Sequence, residues 1–131
     1  MSSLIPKVVI VKATRTAIGS FGGSLKELEA SQLGAILIDH IIKTSDLETD
    51  SISEVIMGQV YTAGCGLNPA RIASVKAGLP YSVPATTVNQ VCGSGLKSII
   101  MGTESILADE SKVVIAGGME SMSQTPFLVS G

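Results

Sequence analysis

Four short runs rich in β-branched residues, separated by segments with helical periodicity, constrain the fold of this chain more than any other feature. The runs are residues 7–12 (KVVIVK), 52–60 (ISEVIMGQV), 85–91 (ATTVNQV) and 112–116 (KVVIA). Such runs favour strands, and the glycines and prolines around them favour loops. Strands that alternate with helices through short connections predict an α/β fold with at least some parallel pairing.

Three helices are predicted between these strands. In residues 30–43 the apolar side chains recur at spacings of three and four, as on one face of a packed helix. Asn68 and Pro69 open a second helix that runs to about Ala77, because proline is favoured in the first helical turn. Residues 94–109 are apolar around most of the helix circumference, which predicts a buried central helix.

The composition excludes several classes of partner. Only 15% of the 131 residues are charged, the formal net charge is -2, and the mean hydropathy is +0.46. Without a basic run we expect no nucleic-acid partner and no binding to an anionic membrane. The longest uncharged stretch, residues 77–96, contains two prolines and several polar residues, so we expect no membrane-spanning helix. The high apolar content predicts that part of the surface packs against another segment.

Targeting, redox and metal signals are weak. Residues 1–10 show no basic region followed by an apolar segment and a cleavage site, so we expect no secretory leader and a cytoplasmic location. The two cysteines, Cys65 and Cys92, do not resemble a disulfide framework and are interpreted as thiols. Neither a metal-ligand cluster nor a glycine-rich phosphate loop is visible, and we expect no metal and no cofactor.

Cys92 is the main candidate for chemistry because it lies between a predicted strand and a predicted helix. The free N–H groups and the positive dipole end of that helix would face its sulfur and favour the thiolate, which is the species that attacks carbonyl carbon. Gly93 and Gly95 leave room for a substrate and give the turn its backbone freedom. The local pattern equally allows a small buried core cysteine in a tight turn.

Four segments, spread over nearly the whole chain, carry a family resemblance. They are residues 15–23 (RTAIGSFGG), 68–71 (NPAR), 88–97 (VNQVCGSGLK) and 117–123 (GGMESMS). In this order they resemble the N-terminal part of the thiolases, most closely the acetyl-CoA acetyltransferases.

The resemblance implies the N-terminal half of a thiolase-like fold. Such a fold has a mixed, mostly parallel sheet, helices on both faces and a buried central helix after the nucleophilic cysteine. Residues 1–120 would form the N-terminal domain without its last strand, and residues 121–131 would be the truncated start of a loop domain. A homodimer or homotetramer is implied, with strands pairing between subunits near Cys92.

The resemblance also implies a reaction. Cys92 would take the acyl group of one acyl-CoA as a thioester, and its backbone N–H would belong to an oxyanion site. A second acetyl-CoA, deprotonated at its methyl carbon, would then attack to give acetoacetyl-CoA and CoA, and the reverse reaction is thiolysis. CoA thioesters are therefore expected as substrates and not as cofactors. Two alternatives stay open: a 3-ketoacyl-CoA thiolase of fatty-acid β-oxidation, and a non-catalytic thiolase-like half that acts with a partner chain.

The sequence departs from the family in what it lacks. Thiolases carry a Gly-His-Pro histidine that activates the nucleophile, an Asn-Glu-Ala-Phe segment and a second catalytic cysteine in a Cys-x-Gly-Gly context. None of these occurs here. We therefore expect the chain to be inactive by itself.

Other residues are weaker candidates for the site. His40, in the middle of the first predicted helix, is interpreted as structural or solvated. Cys65 is interpreted as a loop residue near a subunit interface and not as the second catalytic cysteine. Arg15 and Arg71 are expected to form ion pairs or cap loops and not to bind CoA phosphates.

Overall fold

The computed structural model of the protein describes residues 7–131. Its helices are α1 (Ala30–Thr44), α2 (Pro69–Lys76) and α3 (Ser94–Leu107), and its strands are β1 (Glu54–Gly58), β2 (Ala85–Val88) and β3 (Val114–Gly118). Short 3-10 turns lie at Thr49–Ser51 and Met122–Gln124. The predicted α/β class and the order of these helices and strands are confirmed.

The described strands form one parallel sheet in the order β2-β1-β3. Val55 of β1 pairs with Ala85 on one side and with Ile115 on the other. Because parallel neighbours need a crossover connection, α2 links β1 to β2, and α3 carries the chain from β2 past β1 to β3. The carboxyl ends of the strands therefore meet at one edge of the sheet.

Helices α1 and α2 pack on each other on one face of this sheet, where α2 contacts β1 and β2. Asn68 Oδ1 accepts the Arg71 N–H at 3.1 Å at the start of α2, and Pro69 lies in the first turn, as predicted. Thr87 Oγ1 donates to the same Asn68 oxygen at 2.7 Å, which ties the helix start to β2. The buried apolar core on this face includes Ala30, Ile38, Val55, Met57, Ala70, Ala73, Ile115 and Met119.

Helix α3 lies against β1 and β3 on the opposite face through small residues. Its buried positions are Ser94, Ser98 and Gly102. A Cβ atom on Gly102 would lie 2.9 Å from Val114 Cγ1, so the helix approaches β3 this closely only because the position is glycine. The prediction of helices on both faces is confirmed.

The predicted burial of the central helix holds on the side of α3 that faces the sheet, whereas its outward side is exposed among the described residues. Leu96, Ile100 and Leu107 expose 65%, 42% and 44% of their surface. An apolar pattern indicates which sides of a helix favour burial, but it does not say which segment covers each side. The sheet covers one side of α3, and the described residues leave the other side open.

Residues 7–12 do not form the predicted strand. Val9, Ile10 and Val11 are 68%, 74% and 75% exposed. A β-branched run forms a strand only where a neighbour supplies ladder hydrogen bonds, and no described strand pairs with this run. The strand predicted over residues 85–91 also ends early, at Val88, because the next residues turn toward Cys92.

Within residues 7–131, no helix combines the length and apolar character that crossing a membrane requires. The expectation that no secretory leader is present falls mainly on residues 1–6, outside the described residues.

Candidate active site

Cys92 lies in the short turn between the end of β2 and the start of α3, as the sequence predicts. Its side chain is exposed and forms no disulfide. Of the two interpretations that the local sequence allows, exposure contradicts the buried core cysteine. The thiol is open to a reagent from solvent.

The carboxyl ends of the three strands and the first turn of α3 surround an open hollow of about 290 Å³ beside this cysteine. In parallel sheets, the crevice outside the carboxyl ends of the strands is the usual place for a ligand. The lining residues are Gly58, Gln59, Val60, Val91, Cys92, Ser94, Gly95, Gly118, Met119 and Glu120.

The turn that presents Cys92 contains a strained residue. Val91 has φ 50°, a left-handed conformation that is rare for a β-branched side chain. Asn89 Oδ1 accepts the Val91 N–H at 3.0 Å, and Ser94 Oγ accepts the Gln90 N–H at 2.8 Å while donating to Val91 O at 2.6 Å. These hydrogen bonds hold both peptide groups of Val91 and so fix the direction in which the chain enters Cys92.

Glycines allow the first turn of α3 to lie directly on the sheet edge. A Cβ atom on Gly58 would meet the backbone of Ser94 and lie 2.6 Å from the nitrogen of Gly95. A Cβ on Gly118 would lie 3.3 Å from Gly95 Cα. The absence of these side chains brings the amino end of α3 against β1 and β3, next to Cys92.

Backbone donors are available at this point. Among the described residues, the N–H groups of Cys92, Gly95 and Leu96 form no backbone hydrogen bond, whereas Lys97 N–H already bonds to Gly93 O at 2.8 Å. Free N–H groups and the positive end of a helix stabilise negative charge near them. The turn therefore places an exposed thiol beside donors suited to a developing oxyanion.

Two polar side chains at this edge, Asn89 and Glu120, were not singled out from the sequence. Asn89 has the pattern of a side chain that bonds the backbone two residues on, which is typical of turns. Glu120 is a half-buried carboxylate that follows the predicted end of a parallel strand. The partners of Glu120 lie about sixty positions away along the chain, so the motif that contains Glu120 indicated no contact for its side chain.

The structure places the weaker candidates outside the lining of the hollow beside Cys92. His40 is exposed on α1 and does not line the hollow beside Cys92. Cys65 lies in the loop before α2, where its sulfur accepts a hydrogen bond from Gln59 Nε2 at 3.3 Å. Arg71 donates to Val83 O at 2.5 Å and to Tyr81 O at 2.7 Å, so it caps a loop. Arg15 is exposed.

Comparisons with known proteins bear on this site. The family model described as thiolase, N-terminal domain, matches residues 8–130. A Staphylococcus aureus protein named "Probable acetyl-CoA acyltransferase" is 57% identical over 124 residues, which are 95% of this chain and 32% of that protein. A Cupriavidus necator protein named "Acetyl-CoA acetyltransferase" is 52% identical over 124 residues with the same coverage. The chain thus spans about a third of the length of these relatives.

Proposed function

This chain belongs to the thiolase family and forms its N-terminal domain, and on that premise we propose that Cys92 is the acyl-accepting nucleophile of an acyl-CoA acyltransferase. The observation that carries the proposal is the exposed Cys92 thiol at the carboxyl edge of the sheet, beside the free N–H groups of α3. The names of the two relatives support a CoA thioester as the substrate.

The first half of the proposed reaction uses groups in this chain. The Cys92 thiolate attacks the carbonyl carbon of acetyl-CoA, and the resulting oxyanion accepts hydrogen bonds from the Cys92 N–H and the neighbouring helix donors. The bond between that carbon and the CoA sulfur then breaks. CoA leaves as a thiolate that takes up a proton, and Cys92 carries an acetyl thioester.

In the second half, the methyl carbon of another acetyl-CoA loses a proton and attacks the thioester carbon. Acetoacetyl-CoA forms and the Cys92 thiolate is released, and the same steps in reverse are thiolysis. This half needs a base, and the hollow beside Cys92 contains no histidine. We propose that the base and a second cysteine come from groups outside the printed sequence, as the family resemblance implies.

The preferred substrate in this proposal is a short acyl-CoA. Residues 89–95 and 118–123 resemble the corresponding segments of acetyl-CoA acetyltransferases. This resemblance supports condensation of two acetyl-CoA molecules over β-oxidation of long chains. Assaying the full-length gene product with acetoacetyl-CoA and with a long-chain 3-ketoacyl-CoA separates the two. A strong preference for the long chain would overturn the short-chain proposal in favour of a 3-ketoacyl-CoA thiolase.

Acyl-enzyme formation tests the nucleophile directly. The full-length gene product is incubated with acetyl-CoA, quenched in acid and digested, and the acetyl group is located by mass spectrometry. We expect it on the peptide that contains Cys92. Cys92→Ser should abolish this thioester, whereas the control Cys65→Ser should retain it.

An acetyl group on Cys65 or none on the folded protein would contradict the proposal, and the latter would favour a non-catalytic thiolase-like half.

We further propose a homodimer or homotetramer and a cytoplasmic location. The outer edge of β2, which no described strand covers, supports strand pairing with another copy of the chain. Light scattering measures the resulting oligomeric state. A reducing compartment fits the free thiol that the mechanism requires.

A further inference from the structure

The direction of the Cys92 turn depends on a chain of polar contacts that runs across all three strand ends. Its first link is the Asn89 side chain, which holds the left-handed Val91 through its oxygen and donates from Nδ2 to Val60 O at 3.2 Å. Val60 follows the end of the central strand β1. The turn after β2 is therefore braced against the turn after β1.

Its second link is the Glu120 carboxylate. Oε2 accepts the Val60 N–H at 2.9 Å, and Oε1 accepts the Tyr61 N–H at 3.1 Å. Hydrogen bonds to a carboxylate are stronger than those between neutral groups, and two parallel bonds fix orientation as well as distance. Glu120, which follows β3, thus clamps the segment to which Asn89 is attached.

The same contacts argue against Glu120 as a general base, although it lines the hollow beside Cys92. Both of its oxygens already accept backbone N–H groups, so removal of a substrate proton would compete with the clamp. No other described side chain joins β3 to the backbone of Val60. The arrangement suits a role in holding other groups in place.

We propose that Glu120 is a positioning residue for Cys92 that acts through Val60 and Asn89. This inference rests on the proposed acyl-transfer function of Cys92. If the clamp loosens, Val91 is free to leave its strained conformation, and the sulfur and N–H of Cys92 lose their alignment with the acyl carbon. A misplacement of about 1 Å at a reacting group costs about a hundredfold in rate.

The test uses Glu120→Gln, Asn89→Ala and the double variant in the full-length gene product. The rate of acetyl transfer from acetyl-CoA to Cys92 is followed by rapid quench and mass spectrometry over a range of acetyl-CoA concentrations. We expect each single change to lower the maximal rate about tenfold to a hundredfold. The half-maximal acetyl-CoA concentration should stay the same, because neither side chain is assigned a contact with CoA.

The double variant separates action through a shared path from two independent effects. Residues in one hydrogen-bond network show non-additive effects. If Glu120 acts through Asn89, the double variant should be no slower than the slower single variant. Glu54→Gln is the matched control, because Glu54 is a half-buried carboxylate at the other end of β1 that accepts the Ser111 hydroxyl at 3.0 Å. Its transfer rate should be unchanged.

The outcomes distinguish this inference from the function on which it rests. An unmodified protein that never acetylates Cys92 would defeat the proposed function itself. Three results would overturn the positioning role, given that the unmodified protein acetylates Cys92. Glu120→Gln could transfer acetyl as fast as the unmodified protein, or the rate losses of the two single variants could multiply in the double variant. The third such result is a raised half-maximal acetyl-CoA concentration at an unchanged maximal rate. Should Glu120→Gln melt below the assay temperature, Asn89→Ala carries the test alone, because Asn89 is exposed. A normal maximal rate in that variant would overturn the inference.

Discussion

At the scale of single residues, the close approach of α3 to β1 depends on the lack of a side chain at Gly58. Gly58 ends β1 directly beneath the first turn of α3, where a Cβ atom would press on the backbone of Ser94 and Gly95. Backbone atoms have no rotamer by which to move away, so any added atom must displace the helix. The position of the Cys92 turn and the identity of residue 58 are therefore linked.

Gly58→Ala should destabilise the protein by about 1–3 kcal/mol, the usual cost of forcing an extra carbon into a packed interior. It should also slow acetyl transfer to Cys92, because the amino end of α3 moves. Thermal unfolding and the acyl-enzyme assay measure the two effects.

Gly117→Ala is the matched control for this substitution. Its Cβ would lie at an ordinary distance of 3.6 Å from Met57 Sδ on the other face of the sheet. An equal loss of stability in both variants would show that the contact with α3 is not what makes Gly58 necessary.

The sequence predicted the position of Cys92 but not what holds it. The position of Cys92 between a strand pattern and a helix pattern is a local sequence feature. It correctly predicts that Cys92 lies in the turn between β2 and α3. The contacts of Glu120 join residues about sixty positions apart, and their geometry exists only after the strands are paired. Local patterns contain no information of that kind.

At the scale of elements, one exposed ion pair joins α1 to α2. Lys76 Nζ, in the last turn of α2, donates to Glu29 Oε2 at 3.0 Å, just before α1 begins. The hydrogen bond and the charge of Lys76, followed by a hydrogen bond from Ser31, hold the pKa of Glu29 below its ordinary value. A carboxylate with a lowered pKa stabilises the folded state above the ordinary pKa, and this contribution is lost as the pH falls through the lowered value.

Glu29→Gln should therefore lower the melting temperature slightly near neutral pH, since exposed pairs contribute little. The difference from the unmodified protein should shrink as the pH falls below about 4. Melting curves from neutral to acidic pH measure it, with exposed Glu27→Gln as the control. A difference that grows on acidification would contradict this account.

The helices were predicted more accurately than the strands. The start of α1 at Ala30 and of α2 at Pro69 follow from periodicity and from Asn68-Pro69, which are local signals. A strand also needs a partner, and residues 7–12 have the right composition without a described neighbour. Composition alone cannot supply that neighbour.

At the scale of the whole molecule, the helix α3 gives the surface an apolar strip. Leu96, Ile99, Ile100 and Leu107 are all exposed on it. Apolar surface in contact with water attracts hydrophobic dyes and other protein surfaces. The high mean hydropathy predicted such a surface, but the fold was needed to place it on the side of α3 that faces away from the sheet.

The 131-residue chain should therefore bind the dye ANS. Replacing Ile100 and Leu107 together by glutamine, a good helix former, should reduce the fluorescence and leave helix content nearly unchanged. ANS titration and circular dichroism measure the two properties. The exposed polar control Glu104→Gln on the same helix should keep the full signal, and dye binding that is equal in all three proteins would place the apolar surface elsewhere.

The strand order has a consequence for how the domain forms on the ribosome. The central strand β1 is made first, yet Val55 finds one partner only when Ala85 has emerged and the other only when Ile115 has. Until then the apolar residues of β1 have no neighbouring strand to pair with. Folding of the nascent chain is limited by the formation of these pairings between strands far apart in sequence. The last of the described strands to emerge, β3, also brings Glu120 to the turn that carries Cys92, so the nucleophile is aligned only after residue 120 has been made.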